Sequence, residues 1–324
     1  MTSLYNIFLK LKSESPNIGE GFAVASIPNI KNHKIGISQD NLPVFFIKCE
    51  NNTKTTDTKL EFISVQFNRF CQLINQKGKK EESIYTIISL NSNADYLKKY
   101  FLKIVGILLD NITEKPLLND LKIEIDKLIN LFSKLTKPPI KTIQGLWAEL
   151  LVIEHSKNPD YLIKSWHIAS TDKYDFNDGV DKIEVKSTSK NRRIHNFSFE
   201  QLIPNFSSRL FIVSIFTIET GKGTSIFDII EKIEKKVSDK NLIFQLNELV
   251  ATTLGQDFEK SNNFFFDYQF SIDSINYYNS IDIPTIGAES IPSNIMNVRF
   301  DCDITDVKTL KNSNLNSKLL KSLF

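Results

Sequence analysis

Short extended segments dominate the first 92 residues. Apolar and polar residues alternate within them, most regularly in LEFISVQF. Asn, Gly and Pro separate the segments, as turn residues do. The pattern predicts a small antiparallel β-rich domain over residues 1–92, with one or two helices, acting as a scaffold, a DNA-recognition module or a docking module. Its strands are predicted at 21–27, 34–38, 42–49, 59–67 and 83–90.

Residues 93–137 carry apolar positions at helical spacing. YLKKYFLKIVGILLDNI and LKIEIDKLINLFSKL each predict an amphipathic helix. The sequence Lys137-Pro138-Pro139 ends the second helix, because proline disfavours helix in the residue before it and cannot continue the hydrogen-bond ladder. We therefore predict a helical connector over 93–137, with a domain boundary at the two prolines.

From residue 138 onward, helical and extended patterns alternate. RLFIVSIFTI, at 209–218, is apolar almost throughout, which is typical of a strand buried on both faces. Periodicity alone classifies this region as mixed α/β. Helices are predicted at 140–156, 225–237 and 242–254, strands at 165–170, 173–189, 194–199 and 264–272, a short helix from 200, and a polar tail or helix from 308.

The stretch KYDFNDGVDKIEVKSTS, at 173–189, predicts a β-hairpin. Its Asn-Asp-Gly turn consists of residues that tolerate positive φ. The residues after the turn alternate, so that Glu184 and Lys186 point to the face opposite Ile183. The hairpin brings Asp175 to the same sheet edge. Two neighbouring carboxylates repel each other unless a cation lies between them, and hard oxygen ligands suit Mg²⁺ or Mn²⁺.

Glu149 lies at the edge of the apolar stripe of the helix predicted at 140–156. A partly desolvated carboxylate needs a partner. In the simpler interpretation this partner is a nearby Lys or Arg. In the functional interpretation, Glu149 lies beside a metal ion or orients a metal-bound water.

These features together resemble the PD-(D/E)xK nuclease superfamily, which has the restriction-endonuclease-like fold. Asp175-Phe176, Glu184-Val185-Lys186 and the upstream GLWAEL carry the resemblance. A narrower resemblance covers residues 138–220. It is to PD-(D/E)xK motif proteins of bacterial restriction and phage-defence gene clusters, and it is carried by GLWAELLVIE, IEVKST and RRIHNFSFEQL. Tyr174 stands where the superfamily label has proline. The tripeptide alone is not specific, since acid-x-Lys also occurs at 57–59, 120–122, 234–236 and 306–308.

The resemblance implies an α+β protein, in which a restriction-endonuclease-like αβββαβ core follows the N-terminal β-rich domain. This core has a mixed sheet flanked by helices. We place the nuclease core at 138–255 and a C-terminal α/β extension at 256–324.

The resemblance also implies the roles of the site residues. Asp175 and Glu184, with the backbone carbonyl of Val185, are expected to bind Mg²⁺ or Mn²⁺. Lys186 is expected to orient the attacking water and to stabilise the charge that grows on phosphorus. Glu149 is expected to help hold a second ion or the water.

A basic cluster follows the hairpin: Lys190, Arg192, Arg193 and His195. Such a turn is often simply solvated, but beside a metal site we expect it to hold DNA phosphates. His195 is alternatively a general base or a hydrogen-bond partner of Glu149. Gln201, at the start of the next predicted helix, is expected to contact DNA or a metal ligand.

The composition is that of an ordinary globular protein, with 24% charged and 41% hydrophobic residues and a net charge of +2. So small a charge indicates that DNA contacts come from a local basic patch. The widely spaced Cys49, Cys71 and Cys302 form no zinc pattern with the four histidines, so we expect reduced thiols and a cytoplasmic location. The chain has no apolar run of about 18 residues, from which we expect no membrane span.

The sequence thus predicts a Mg²⁺-dependent endonuclease that hydrolyses DNA phosphodiester bonds, and the resemblance alone adds the setting of bacterial restriction or phage defence. A repair nuclease for DNA junctions or single strands is the enzymatic alternative. The second alternative is a non-catalytic DNA-binding or interaction subunit. The presence of all four motif residues, Glu149, Asp175, Glu184 and Lys186, disfavours it. Besides DNA, the expected partners are a second copy of the chain and the methyltransferase or helicase/ATPase subunits of a defence system.

Overall fold

A computed structural model describes residues 4–14, 22–50, 55–75, 80–167, 172–202, 208–310 and 317–323. The chain divides into two compact units, residues 1–136 and 137–324. The helices predicted as a connector lie in the first unit, and the predicted C-terminal extension lies in the second. None of the helices in the described ranges is long and apolar enough to cross a bilayer.

The first unit is a β-sheet covered by helices. A parallel pairing between its first and fifth strands closes the sheet on itself. Phe45 in the sheet packs against Phe101, and Phe101 packs against Phe132, so two helices share the core of this unit. The sheet order is β1-β2-β3-β6-β5-β4. In chain order the elements are α1 (Leu4–Glu14), β1 (Ala23–Ile27), β2 (Ile30–Ile37), β3 (Pro43–Ile47), β4 (Thr58–Lys59), β5 (Ile63–Asn75), β6 (Lys80–Leu90), α2 (Asp95–Leu109) and α3 (Leu118–Lys134).

The second unit is built on a four-stranded mixed sheet. Its helices and strands in chain order are α4 (Ile143–His155), α5 (Pro159–Ser165), β7 (Phe176–Asn177), β8 (Asp181–Thr188), β9 (Ile194–Ser198), β10 (Arg209–Phe216), β11 (Glu219–Thr220), α6 (Ile226–Lys236), α7 (Lys240–Leu254), β12 (Phe265–Phe266), α8 (Tyr268–Asp273), β13 (Asn276–Asn279), β14 (Arg299–Asp303) and α9 (Lys318–Leu323). The sheet order is β13-β10-β8-β7. The two central strands are parallel and the outer pairs are antiparallel. The predicted α+β class with a mixed sheet is confirmed.

Local sequence explains the elements that frame the site. In β10, the six residues after Arg209 are all buried, as expected of a central strand. The buried Trp147 of α4 donates a hydrogen bond from its indole nitrogen to the carbonyl of Thr224, at 2.9 Å. Ser225 and Asp228 then form a reciprocal capping box at the start of α6. Helix α4 is thereby fixed against α6, and it carries Glu149 into the interior.

One predicted strand is wrong, and another lies partly outside the described ranges. For the strand predicted at 165–170, Ser165 ends α5, Trp166 makes an antiparallel bridge to Phe176, and residues 168–170 lie outside the described ranges. The strand predicted at 264–272 is wrong, because the two-residue β12 is followed directly by α8. Asp267 caps α8 by accepting a hydrogen bond from the backbone of Phe270, and this local cap outweighs the aromatic, strand-like composition.

Candidate active site

The predicted hairpin is present, and its turn is formed by local hydrogen bonds. Asn177 accepts a hydrogen bond from the backbone N–H of Gly179 at 2.9 Å, and Asp178 accepts from that of Asp181 at 2.8 Å. Gly179 has φ 89°, a conformation that glycine adopts without strain. This turn pairs β7 with β8 in antiparallel register and places Asp175 beside β8.

Asp175 is attached to the backbone of β8. Its Oδ2 accepts a hydrogen bond from the N–H of Val185 at 2.8 Å, and the residue is only 6% exposed. In a strand, the N–H and C=O of one residue point to the same side. The carbonyl of Val185 therefore faces the same side as Asp175, as the predicted ligand set requires.

Glu184 is buried and receives two donors at the same oxygen. The Nζ of Lys186 lies 2.8 Å from Glu184 Oε1, and the side-chain amide of Gln201 donates to that oxygen at 3.0 Å. Within the described ranges, no donor reaches Oε2. Burial, followed by the negative charge of Asp175, raises the pKa of Glu184 to about 7, although Lys186 acts in the opposite direction.

Lys186 lies close to Glu184 and to an aromatic ring. Its ammonium is 5.2 Å from the ring centroid of Phe197, within cation–π range, and the side chain is mostly buried. The hairpin thus brings together Asp175, Glu184 and Lys186, the two acids and the lysine predicted from the sequence.

Gln201 is held by the 3₁₀ turn Phe199–Leu202, where a short helix was predicted. Its Oε1 accepts from the N–H of Ser198 at 3.0 Å, while its nitrogen donates to Glu184. Of the two contacts expected for Gln201, with DNA or with a metal ligand, the structure shows the contact with the candidate ligand Glu184.

Lys141 is a site residue that sequence reasoning missed. Its Nζ lies 2.7 Å from Glu149 Oε1 and also contacts Asp175 Oδ1. The indole of Trp166 donates to the other oxygen of Glu149 at 2.8 Å. Glu149 is therefore paired with a lysine, as its simpler interpretation expected. Lys141 immediately precedes Thr142, the N-cap of α4, and this position next to the Glu149 helix was its only signal in the sequence.

Burial and mutual charge shift the pKa values of this pair. Burial, and then the charge of Asp175, raise the pKa of Glu149 above its usual range, while the ammonium of Lys141 and the indole of Trp166 stabilise the ionised form. Burial also acts to lower the pKa of Lys141, but the charges of Asp175 and Glu149 outweigh it and raise that pKa above its usual range. Lys141 is thus a fixed positive charge within the acidic cluster.

The prediction that Arg193 and His195 contact DNA is corrected. Both are buried: Arg193 immediately precedes β9, and His195 lies at an inward-facing position of this strand. Arg193 donates to the carbonyl and hydroxyl oxygens of Ser214 at 2.7 and 2.8 Å. His195 lies 2.7 Å from the same hydroxyl. Burial, then the charges of Lys186 and Arg193, lower the pKa of His195 to about 4, so its imidazole is neutral near pH 7. Neither side chain is available to a phosphate.

The other two basic residues of the cluster are exposed. Lys190 and Arg192 lie in the loop between β8 and β9. Arg192 makes a surface ion pair with Asp303 at 2.6 Å, with its own side chain 56% exposed. Surface pairs of this kind are weak and exchange readily. A basic surface of two residues therefore remains beside the hairpin.

Tyr174, at the position of the superfamily's proline, has a buried hydroxyl with no hydrogen-bond partner in the described ranges. Burial, and then the charge of Glu184, raise the pKa of Tyr174 to about 12. The phenol therefore stays protonated and is a hydrogen-bond donor at the margin of the acidic cluster.

The donor chemistry fits a hard divalent cation held by Asp175, Glu184 and the carbonyl of Val185. Mg²⁺ is usually bound by one or two carboxylates and completes its shell with water and phosphate. The described ranges contain no cluster of three or more His, Cys, Asp or Glu side chains disposed to hold a metal ion. Both oxygens of Glu149 are occupied by Lys141 and Trp166. Asp175 is occupied in the same way, by Lys141 and by the N–H of Val185, so these contacts do not exclude a ligand and the metal role of Glu149 stays a prediction.

Comparison with known families agrees with this geometry. The chain matches the profile of a family described as "Putative PD-(D/E)XK family member (DUF4420)" over residues 6–305. The chain belongs to this family, and the match extends across both units, well beyond the 138–220 of the sequence resemblance. Nuclease chemistry with a divalent metal is typical of PD-(D/E)XK proteins. No curated protein and no solved structure matches the chain.

Proposed function

We propose that the protein is a metal-dependent endodeoxyribonuclease that hydrolyses phosphodiester bonds in DNA. The observation that carries the proposal is the convergence of Asp175, Glu184 and Lys186 on one edge of the hairpin, with Val185 and Gln201 fixing the two carboxylates. Burying two acids beside an ammonium costs free energy, and this cost favours a functional role for the group.

Each residue of the site has its own proposed role in catalysis. Asp175, Glu184 and the Val185 carbonyl are the candidate ligands, and a cation bound by them would neutralise phosphate charge and lower the pKa of water. Lys186 holds the attacking water and stabilises the growing negative charge. The hydrogen bonds from Val185 and Gln201 keep the carboxylates oriented.

A panel of DNA substrates tests the proposal. The full-length protein is incubated with supercoiled plasmid, a four-way junction and single-stranded DNA, each with Mg²⁺, with Mn²⁺ or with EDTA. We expect metal-dependent nicking or linearisation of the plasmid. Cleavage restricted to the junction or the single strand would instead support the repair nuclease. DNA and metal binding without any cleavage would indicate a subunit that needs a partner.

The exposed Lys190 and Arg192 are proposed to hold the DNA backbone. The variant Lys190→Ala/Arg192→Ala should bind duplex DNA more weakly than wild type. The slope of log K against log [salt] should become less negative by roughly 2, because each lost phosphate contact removes about 0.9 from its magnitude. Fluorescence anisotropy at several salt concentrations measures this slope. The control is Lys157→Ala/Lys164→Ala, which removes the same charge from exposed positions of α5 and the turn before it. An equal slope in wild type and the first variant would remove these residues from the interface.

We further propose the setting of a bacterial restriction or anti-phage system. One active site cuts one strand, so a double-strand break requires two copies of the chain or sequential nicking. Methyltransferase or helicase/ATPase subunits are the proposed partners in such a system. A cytoplasmic location is part of the same proposal.

A further inference from the structure

Lys141 places a positive charge inside the acidic cluster. Its ammonium contacts Glu149 on one side and Asp175 on the other, and its side chain is only 25% exposed. Glu149 and Asp175 are themselves almost fully buried. Lys141 therefore supplies the cation that two neighbouring buried carboxylates need.

The contacts of Asp175 determine where a metal ion has to bind. Its Oδ2 already accepts the N–H of Val185, and its Oδ1 accepts the ammonium of Lys141. A cation that binds Asp175 at Oδ1, the oxygen without a backbone hydrogen bond, therefore approaches the oxygen that Lys141 contacts. An ammonium and a divalent ion on one oxygen repel each other strongly in a site of low dielectric.

Glu149 provides a second position for the ammonium. Its Oε1 accepts from Lys141, and Trp166 holds its Oε2, so this carboxylate is fixed without any metal. Lys141 can thus give up Asp175 and keep its pairing with Glu149. This assigns a purpose to Glu149 that does not require it to be a ligand.

We propose that Lys141 is a built-in competitor for the divalent cation: it occupies Asp175 in the metal-free protein and withdraws to Glu149 when Mg²⁺ or Mn²⁺ binds. This inference rests on the proposed function. It makes Lys141 a positioning residue, which neutralises the acidic cluster and sets the metal concentration at which an ion displaces it from Asp175.

Binding of Mn²⁺ to the full-length protein, measured by isothermal titration calorimetry, tests the exchange. Lys141→Met should bind Mn²⁺ about tenfold more tightly than wild type, since the ion no longer displaces an ammonium. The midpoint of thermal unfolding should fall without metal, and Mn²⁺ should raise it further in the variant than in wild type, because a ligand stabilises the state that it binds. Lys141→Gln, which retains hydrogen-bond donors without the charge, serves if Lys141→Met does not fold.

Three control variants make the result specific. Asp175→Asn should abolish the binding and so locate it. Lys157→Met, at an exposed position, should leave the affinity unchanged. Lys186→Met removes a charge beside Glu184 without freeing the Asp175 oxygen, so its gain in affinity should be clearly smaller than that of Lys141→Met.

Each outcome decides between interpretations. An unchanged or weaker Mn²⁺ affinity in Lys141→Met, or a gain no larger than that of Lys186→Met, would overturn the competitor role and leave the proposed function intact. A purely structural lysine would lower stability without raising the affinity. If neither folded wild type nor folded variant binds Mn²⁺, the metal-dependent function fails, and the exchange fails with it.

Discussion

Replacing Lys186 with alanine should slow metal-dependent DNA cleavage by about 10²-fold or more, the usual effect of removing one preorganised group that stabilises transition-state charge. The ammonium lies 2.8 Å from Glu184 and over the ring of Phe197, so its position is fixed before substrate binds. Single-turnover cleavage of supercoiled plasmid measures the effect without a contribution from product release.

The chain offers a matched control for this variant. Lys122 belongs to an acid-x-Lys tripeptide of the same form, Asp120-Leu121-Lys122, but lies exposed on α3 in the first unit. Lys122→Ala should cleave at the wild-type rate. Equal activities of Lys186→Ala and wild type, with both proteins folded, would contradict the assignment of the catalytic lysine.

Arg209→Ala should destabilise the second unit by about 2–3 kcal/mol, because it leaves a buried carboxylate without its partner. Asp181, at the start of β8, is 1% exposed, and both of its oxygens accept from Arg209 at 2.9 Å. Arg209 lies directly opposite it in the parallel register of β10. The pair therefore links the two central strands at the end where both begin.

Urea unfolding followed by tryptophan fluorescence reports this effect selectively. The chain's two tryptophans, Trp147 and Trp166, both lie in the second unit. Arg192→Ala, which breaks only the surface pairs with Asp303 and Asp306, should leave the transition midpoint unchanged. Adding Asp181→Asn to Arg209→Ala should restore part of the lost stability by removing the unpaired charge. A double variant no more stable than Arg209→Ala would show that the lone carboxylate is not the cause.

The sequence predicted the parts of the site that depend on local interactions. The Asn-Asp-Gly turn defines the hairpin through its own side chains, and alternation then determines which face Glu184 and Lys186 share. The apolar run of β10 and the helix at 225–237 were equally readable. These signals need only neighbours within a few residues.

The missed parts depend on contacts distant in sequence. Lys141 reaches Asp175 across 34 positions, and the guanidinium of Arg193 is held inside by Ser214 and Ser274, 21 and 81 positions further on. A basic residue after a strand gives no local sign of whether it points inward. Sequence reasoning therefore treated Arg192 and Arg193 as equivalent, although the structure separates them.

The most direct test of the account compares wild type with Asp175→Asn for plasmid cleavage in Mg²⁺ and for Mn²⁺ binding, with tryptophan fluorescence confirming that both are folded. Asparagine keeps the shape of the side chain and an acceptor for Val185 but removes the charge that holds a cation. We predict that wild type binds the metal and cleaves the plasmid, and that Asp175→Asn does neither. Full cleavage by Asp175→Asn, or a folded wild type that neither binds metal nor cleaves DNA, would contradict the account.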